Sequence, residues 1–337
     1  MEEEKTWRKA LLQYFIKTLN GMAYGLFSTL IIGVIIRTIA DLSGWEALRE
    51  VALALMGLMG VGIGLGVAWS LNLTGLKLIA GAMAGGIATR LVAPDPVVAY
   101  LTSIAAIEVL RRGLKKPTPL DILLIPLIGA SVSFAVVSVI GLPVATFMGW
   151  IGDFIQTATT LRPFLMGLII AVVMGMALTA PISSAAIAIS ITLSGMAGGA
   201  AVVGGAAQML GFAVMSRKDN PIGTVISIAI GTSMLQFKNV LKKPIIWLPP
   251  IIASAILGPL STLFFKVETD ASGAGMGTSA LVGQIATIDA MGTGSGVIIS
   301  IIILHIVLPI ALVFGLDVLF RRTGLISLGD FSLKAGE

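Results

Sequence analysis

Of 337 residues, 56% are hydrophobic and only 12% charged, and the mean hydropathy is +1.02. A soluble domain carries roughly 25% charged residues, and its surface needs more polar side chains than this chain supplies, so a soluble fold is excluded in favour of a helical membrane protein. With no cysteine and a single histidine, His305, disulfides, thiolate metal centres, cysteine nucleophiles and multi-histidine sites are excluded, and no metal or cofactor is expected. No phosphate-binding loop of the G-x-x-x-x-G-K-[ST] type occurs, so ATP-driven work by this chain alone is not expected. The formal charge of +5 fits membrane topology better than nucleic acid, which is not an expected partner.

The chain opens on an acidic Met1-Glu2-Glu3-Glu4 and an amphipathic stretch within residues 1–17. A secretory signal would open on basic residues and close on a small-residue cleavage site, so the first span is expected to be retained. Runs near the roughly 20 apolar residues that cross a bilayer follow at Leu19–Ile36, Val51–Ser70, Leu78–Ala93, Ile122–Leu142, Phe164–Ala180, Met196–Met215, Ile245–Phe265 and Val297–Phe320. Shorter apolar pieces lie between them, at Val97–Leu110, Pro143–Thr160, Pro181–Leu193 and Pro221–Leu235. The pattern predicts an all-α integral membrane protein, a single membrane-embedded domain over 1–337 with about 8–10 transmembrane helices and two or more broken or re-entrant hairpins.

Orientation follows from basic residues. Lys5, Arg8, Lys9, Lys17, Lys77, Arg111, Arg112, Lys115, Lys116, Arg217, Lys218, Lys238, Lys242, Lys243, Arg321, Arg322 and Lys334 all fall on one side if the amino terminus is cytoplasmic, Pro181–Leu193 and Met196–Met215 form a down-and-back pair, and Pro221–Leu235 dips in without crossing. Arg37, Arg49, Arg90, Arg162 and Lys266 then lie at the outer ends. A multi-pass protein of the inner (plasma) membrane with both termini cytoplasmic is expected.

Glycine accounts for 40 residues. Gly60, Gly62, Gly64 and Gly66 form overlapping G-x-x-x-G patterns and Gly81 and Gly85 another, which read as close helix packing and not as chemistry. The region 181–236 is different. Pro181 and Pro221 each stand before small polar residues, Ser183-Ser184 and Gly223-Thr224. Proline suits a helix's first turn and the neighbouring polar groups can cap it, so each predicts the start of a half-helix. Ser183, Ile187, Ser190 and Ser194 share one helical face, as do Thr232, Gln236 and Asn239, and Gln208 lies in the span between. Free N–H groups at half-helix ends, with neutral amides and hydroxyls, suit a polyhydroxylated solute. Bonding between neighbouring helices is the plainer use of the same groups.

The Gly-rich region 270–296 contains Ser272-Gly273-Ala274-Gly275-Met276-Gly277-Thr278-Ser279. Such a run is too flexible to start a stable helix and too apolar for a solvent loop, which predicts a re-entrant segment lining a pathway. Asn220-Pro221-Ile222-Gly223-Thr224, Gly231-Thr232-Ser233-Met234-Leu235-Gln236 and Gly275-Met276-Gly277-Thr278-Ser279 through Gly283-Gln284 resemble the phosphotransferase-system EIIC-like membrane family, of the perfringolysin regulator type. The resemblance runs over nearly the whole chain and implies a dimeric inner-membrane fold whose re-entrant hairpins enclose a solute site. The G-I-[TS]-E type motif that supplies the sugar-binding glutamate of sugar-transporting members is not found, nor is a IIB segment within these residues. Phosphorylation, if coupled, would need a separate cytoplasmic IIB-type protein.

Among ionisable residues inside spans, His305 stands four residues before Pro309, whose missing N–H leaves the His305 carbonyl free at the same depth. It is a candidate to hold a solute hydroxyl or relay a proton, or simply to bond a neighbouring helix. Glu108 pairs by spacing with Arg111 and Arg112. Asp289 either lines the pathway or caps the loop, Asp121 reads as a helix cap, and Asp153 lies on a piece expected at the outer interface.

The expected function is a permease moving a small polar, carbohydrate-like solute by alternating access, as a homodimer in the lipid bilayer, with no catalytic residues. Alternatives are a membrane receptor that signals to a cytoplasmic partner, or a sugar-phosphorylating permease. The candidate ligand contacts are Ser183, Ser184, Gln208, Asn220, Thr232, Gln236, Asn239, Thr278, Gln284, Asp289 and His305. The topology predicts that a cysteine placed at Lys115 is labelled by an impermeant thiol reagent only from the cytoplasmic side; labelling from outside intact cells overturns it.

Overall fold

The computed structural model describes residues 2–92 and 95–333. Ala93 and Lys334 therefore lie outside the described residues, as do the side chains of Lys5, Arg8, Lys9 and Ser190. Among the described residues every regular element is helical, and contacts divide the chain into two compact units, Met1–Thr146 and Phe147–Glu337.

In the first unit, α1 (Glu2–Leu26) runs through a wide π turn at Phe27–Ile31 into α2 (Ile32–Ser43). Next come α3 (Glu46–Gly57) and α4 (Met59–Ser70), bent by 49° at Leu58. They are followed by α5 (Gly75–Leu91) and α6 (Pro96–Gly113). Asp95 caps α6, its carboxylate accepting from the Val97 and Val98 N–H groups, with Pro96 in the first turn where no N–H is missed.

The glycines of α4 explain how these helices meet. Residues two apart on a helix point about 200° apart, so the overlapping G-x-x-x-G patterns occupy opposite faces. Gly60 and Gly64 lie on the backbones of Gly85 and Gly81 in α5, whereas Gly62 and Gly66 lie on Gly25 and Gly21 in α1. In lipid no hydrophobic force drives helices together, so such backbone contact is what holds them.

One expectation is corrected here. Ile122–Leu142 and Pro143–Thr160 are not separate pieces: α7 (Asp121–Thr159) is one helix of 39 residues passing through Pro126 and Pro143. A proline costs a helix one backbone bond, but membrane helices tolerate it because neighbouring groups re-satisfy the freed carbonyl. Asp153 accordingly sits within this helix and not on a separate interfacial piece.

The second unit is built round α10 (Gly195–Ser216), whose small residues are buried on every side. Before it come α8 (Pro163–Thr179) and the short α9 (Ser184–Ser190). After it, α11 (Ile222–Ile226) widens into a π turn at Ser227–Gly231, and a 3-10 turn at Ser233–Gln236 leads into α12 (Phe237–Lys242). A second 3-10 turn at Pro244–Trp247 opens α13 (Leu248–Leu260). The Gly-rich region supplies α14 (Ala271–Ala274) and α15 (Val282–Met291). Finally α16 (Ser295–Ser300) passes through a π turn at Ile301–Val307 into α17 (Leu308–Arg322). Gly204 of α10 lies on the Ala171 backbone of α8, and Gly258 of α13 lies on Gly167.

Two local expectations shift. A helix does begin directly after Pro221, but α9 begins only at Ser184, because Pro181 and Ile182 are spent in a tight turn closed by Ile182 N–H to the Ala180 carbonyl, 2.7 Å. The Gly-rich run is also more ordered than expected, since its glycines serve as contact points. A Cβ at Gly275 would strike Ser184 and Ala185, and Gly277 lies on the Gly205 backbone with φ of 53°. Among the described residues, five helices are long and apolar enough to cross a bilayer, or six if the bent α3–α4 pair is one span. The number is below that read from hydropathy because α5 and α8 have only 17 residues each and α7 absorbs two predicted pieces.

Gly64→Ala, which drives a methyl into the Gly81 carbonyl, is expected to lower the melting temperature in detergent by several degrees, equivalent to about 1–3 kcal/mol of overpacking. Gly57→Ala, with open space around it, should leave the melting temperature essentially unchanged.

Candidate functional site

Several helix breaks of the second unit surround α10. Helix α8 ends at Thr179, where Ala180 turns extended (ψ 160°), and the π turn after α11 ends at Thr232, also extended (φ −162°, ψ 138°). The third break is the loop 275–281, in which Gly277, Ala280 and Leu281 all have positive φ. Consecutive non-glycine residues in that region are strained and persist only where packing enforces them. The enforcing contacts are polar. Thr278 Oγ1 donates to the Ala229 carbonyl (2.6 Å), Ser279 Oγ to the Gly231 carbonyl (2.8 Å), and Ser184 Oγ to the Gly275 carbonyl (2.7 Å).

At the centre of α10, Gln208 is fully buried. Its Oε1 accepts from Trp247 Nε1 at 2.8 Å and from Thr179 Oγ1 at 3.1 Å, and Thr179 Oγ1 lies 2.8 Å from Ser233 Oγ. An indole nitrogen can only donate, so Trp247 fixes which end of the amide faces it. The Nε2 end points elsewhere, and among the described residues nothing accepts from it. An unpaired buried donor costs about 1–3 kcal/mol.

A second buried pair lies on α15 and the π turn before α17. Gln284 Nε2 is 3.4 Å from His305 Nδ1, while Gln284 Oε1 and His305 Nε2 lack partners among the described residues. The chemistry offered does not depend on the tautomer. If the amide donates to Nδ1, the groups left over are the amide oxygen, the second amide N–H and an imidazole N–H; if the amide is turned, they are an imidazole acceptor and both amide N–H groups. Either way two donors and one acceptor remain.

The other residues singled out in the sequence occupy different roles. Asn220, Gln236 and Asn239 do come together, but they bind the segment after α17. Asn220 Nδ2 and Gln236 Nε2 donate to the Phe331 carbonyl (2.8 and 3.0 Å), and Asn239 Nδ2 donates to the Ser332 carbonyl (3.2 Å) and to Gln236 Oε1 (2.7 Å). Thr232 Oγ1 caps the 3-10 turn by accepting from Met234 N–H. Ser183 is half-buried in the turn before α9, and Asp289 lies on the exposed face of α15.

Sequence reasoning missed Thr179, Ser233 and Trp247, which carry no signal apart from their partners. It also missed Asp317, which did carry one: a carboxylate inside an apolar span. Asp317 is fully buried between Arg217 (3.0 Å) and Arg321 (2.8 Å). Glu108 pairs with Arg111 and Arg112 as its spacing implied, and also accepts from Tyr14 at 2.8 Å.

Compared with known protein families, residues 16–333 match the family model described as phosphotransferase system, EIIC. Neither the curated proteins nor the solved structures gave a match.

Beside Asn239 on α12, half-buried Lys238 has its ammonium pulled down to about 8, chiefly by burial and then by repulsion from Lys242. Below pH 8 both folded and unfolded chains hold that proton. Between pH 8 and about 10.5 only the unfolded chain keeps it, so raising the pH there favours the fold. The melting temperature of Lys238→Met is therefore expected to exceed that of the parent below pH 8, and the gap to narrow as the pH approaches 10.

Proposed function

Because this chain belongs to the phosphotransferase system EIIC family, a membrane sugar-transport component, we propose that Gln208, Thr179, Ser233 and Trp247, together with Gln284 and His305, form its solute site. The observation that carries the reading is the Gln208 amide: buried, its orientation fixed by Trp247, with two N–H donors left over. Burying such a group is costly unless something else pairs with it. Hydroxyl and ring oxygens of a neutral carbohydrate are acceptors of the right kind, and the two donors and one acceptor left at Gln284 and His305 match further hydroxyls. No formal charge among these side chains favours a charged solute, with the imidazole taken as neutral.

Thr179, Gln208, Ser233 and His305 are all fully buried, so a solute reaches them only if the surrounding breaks move. Discontinuous helices meeting at mid-membrane are the usual device for alternating access, and the breaks after Thr179, at Thr232 and at 275–281 are its moving parts in this reading. The segments round Pro181, Pro221 and 270–296 would be re-entrant, and the protein a homodimer in the plasma membrane with both termini cytoplasmic. Among the other sequence candidates, Ser184 and Thr278 would shape the site through the carbonyls they hold, and Ser183 would line its approach. Thr232 and Asp289 would stand outside it. Transfer of phosphate to the sugar would be the work of a separate IIB-type partner, since no catalytic group is assigned to these residues.

A thermal-shift screen of the purified protein against neutral monosaccharides, disaccharides and polyols tests this. At least one is expected to raise the melting temperature, and Gln208→Leu should weaken that ligand by about tenfold or more, the scale of one or two lost hydrogen bonds in a buried site. A ligand bound equally well by Gln208→Leu and His305→Leu would move the site elsewhere.

A further inference from the structure

We propose that residues 326–333 act as a strap that holds the solute site shut, and that its withdrawal opens the site toward the face bearing Lys218, Lys243 and Arg322. The word "shut" rests on the reading of Gln208 as the solute site; the strap itself rests on separate observations.

After α17 the chain reverses at Gly324 (φ 75°) and folds back, Ile326 N–H donating to the Phe320 carbonyl at 3.1 Å. Phe331 is then fully buried, its ring against Phe212 of α10 (centroids 6.4 Å apart) and with the Arg321 guanidinium over it. The backbone on both sides of it is held by side chains of one neighbourhood. Phe331 N–H donates to Asp219 (3.1 Å), its carbonyl accepts from Asn220 and Gln236, and Leu333 N–H donates to Asn220 Oδ1 (2.8 Å). Lys243 pairs with Asp330 at 2.6 Å.

This is how a surface binds an extended peptide. Side-chain amides read main-chain groups, and one aromatic fills a pocket. Nearly all of the polar contacts can be exchanged for water when the segment lifts away. Phe331 is the part that must be drawn out, and it is the plug.

The strap reaches the site through a single short element. Gln236, bonded to Phe331, and Ser233, bonded to Thr179 beside Gln208, are the two ends of one 3-10 turn. That turn follows the extended residue Thr232 and the π turn Ser227–Gly231, where the ladder of helical bonds is already interrupted. Releasing Phe331 frees Gln236, and the turn can then carry Ser233 away from Thr179. Arg321, which lies over Phe331 and pairs with buried Asp317, ties the same release to the end of α10, where Arg217 also holds Asp317.

The chain lacks cysteine, so single reporters can be introduced into it. Ser233→Cys is labelled with N-ethylmaleimide in detergent with the strap intact, and again with Phe331→Ala added. Ser254→Cys, equally buried in α13, is the control for general loosening. The labelling rate at position 233 is expected to rise at least tenfold in the Phe331→Ala background while position 254 stays unlabelled. Lys243→Met, which removes only the ion pair at the strap's edge, is expected to give a smaller rise at 233 and serves if Phe331→Ala does not fold. Unchanged labelling at 233 in both backgrounds, or an equal rise at 254, overturns the strap. No sugar is needed for this readout. Failure of the strap therefore leaves the solute site standing, and a sugar screen without hits leaves the strap standing.

Discussion

Gly198, Gly199, Gly204, Gly205 and Gly211 leave α10 with almost no side chain between its backbone and its neighbours, and the second unit is arranged round that fact. Gly199 lies on the Val267 carbonyl, Gly204 on Ala171 of α8, and Gly205 on Gly277 of the Gly-rich loop. At these glycines backbone meets backbone directly, and dispersion contacts replace the hydrophobic drive that lipid cannot supply. The close approach also brings irregular backbone to the middle of the unit. Loop 275–281 can tolerate positive φ at Ala280 and Leu281 because Thr278 and Ser279 are bonded to the broken end of the π turn at Ala229 and Gly231.

The same packing separates two kinds of polar residue that look alike in sequence. Asn220, Gln236 and Asn239 are amides whose described bonds go to the segment 331–333, to one another and, for Asn220, also to the Ser216 carbonyl, so they are structural in this conformation. Gln208, Gln284 and His305 are buried but incompletely paired. In a low-dielectric interior an unpaired polar group is a standing cost, and natural folds keep such groups mainly where a ligand or a change of state uses them. That contrast separates the two sets, although the hydroxyls of Thr102, Ser261 and Thr269 also lack partners among the described residues.

Much of the architecture was legible in the sequence because lipid imposes simple rules. Length and hydropathy locate α5, α8, α10 and the continuous run from α16 to α17 to within a few residues, and the spacing of Gly60, Gly62, Gly64 and Gly66 foretells their use as packing faces. The failures are instructive. Pro143 looked like a boundary, yet the helix passes through it, because a membrane helix loses less to proline than a soluble one. Gln208, Gln284 and His305 were visible as polar residues inside apolar runs. Thr179, Ser233 and Trp247 were not, because a threonine at a helix end or a tryptophan near an interface is ordinary until its partner is known. Gln236 and Asn239 do lie together, but Thr232, expected on the same helical face, is extended and outside the helix. The occupant of the two amides, the backbone of residues 331 and 332, lies more than ninety residues away along the chain. No local pattern encodes that.

Rigid and yielding parts are thus sorted by bonding pattern. Helix α10 keeps its i to i+4 ladder from Gly195 to Ser216, whereas the elements against it are interrupted by π turns at Ser227–Gly231, Ser261–Phe265 and Ile301–Val307. A π turn shifts the ladder by one residue and bonds it less well than the α-helix on either side, so a helix bends there at lower cost than in its regular stretches. One of these turns carries His305, and another runs directly into Thr232 and Ser233. The solute-facing groups of the proposed site are therefore mounted in part on the joints most easily reshaped, and Gln208 on the element least so. A fixed amide reference with movable partners is the arrangement that alternating exposure of one site requires, and a uniformly rigid bundle with the same side chains would lack it.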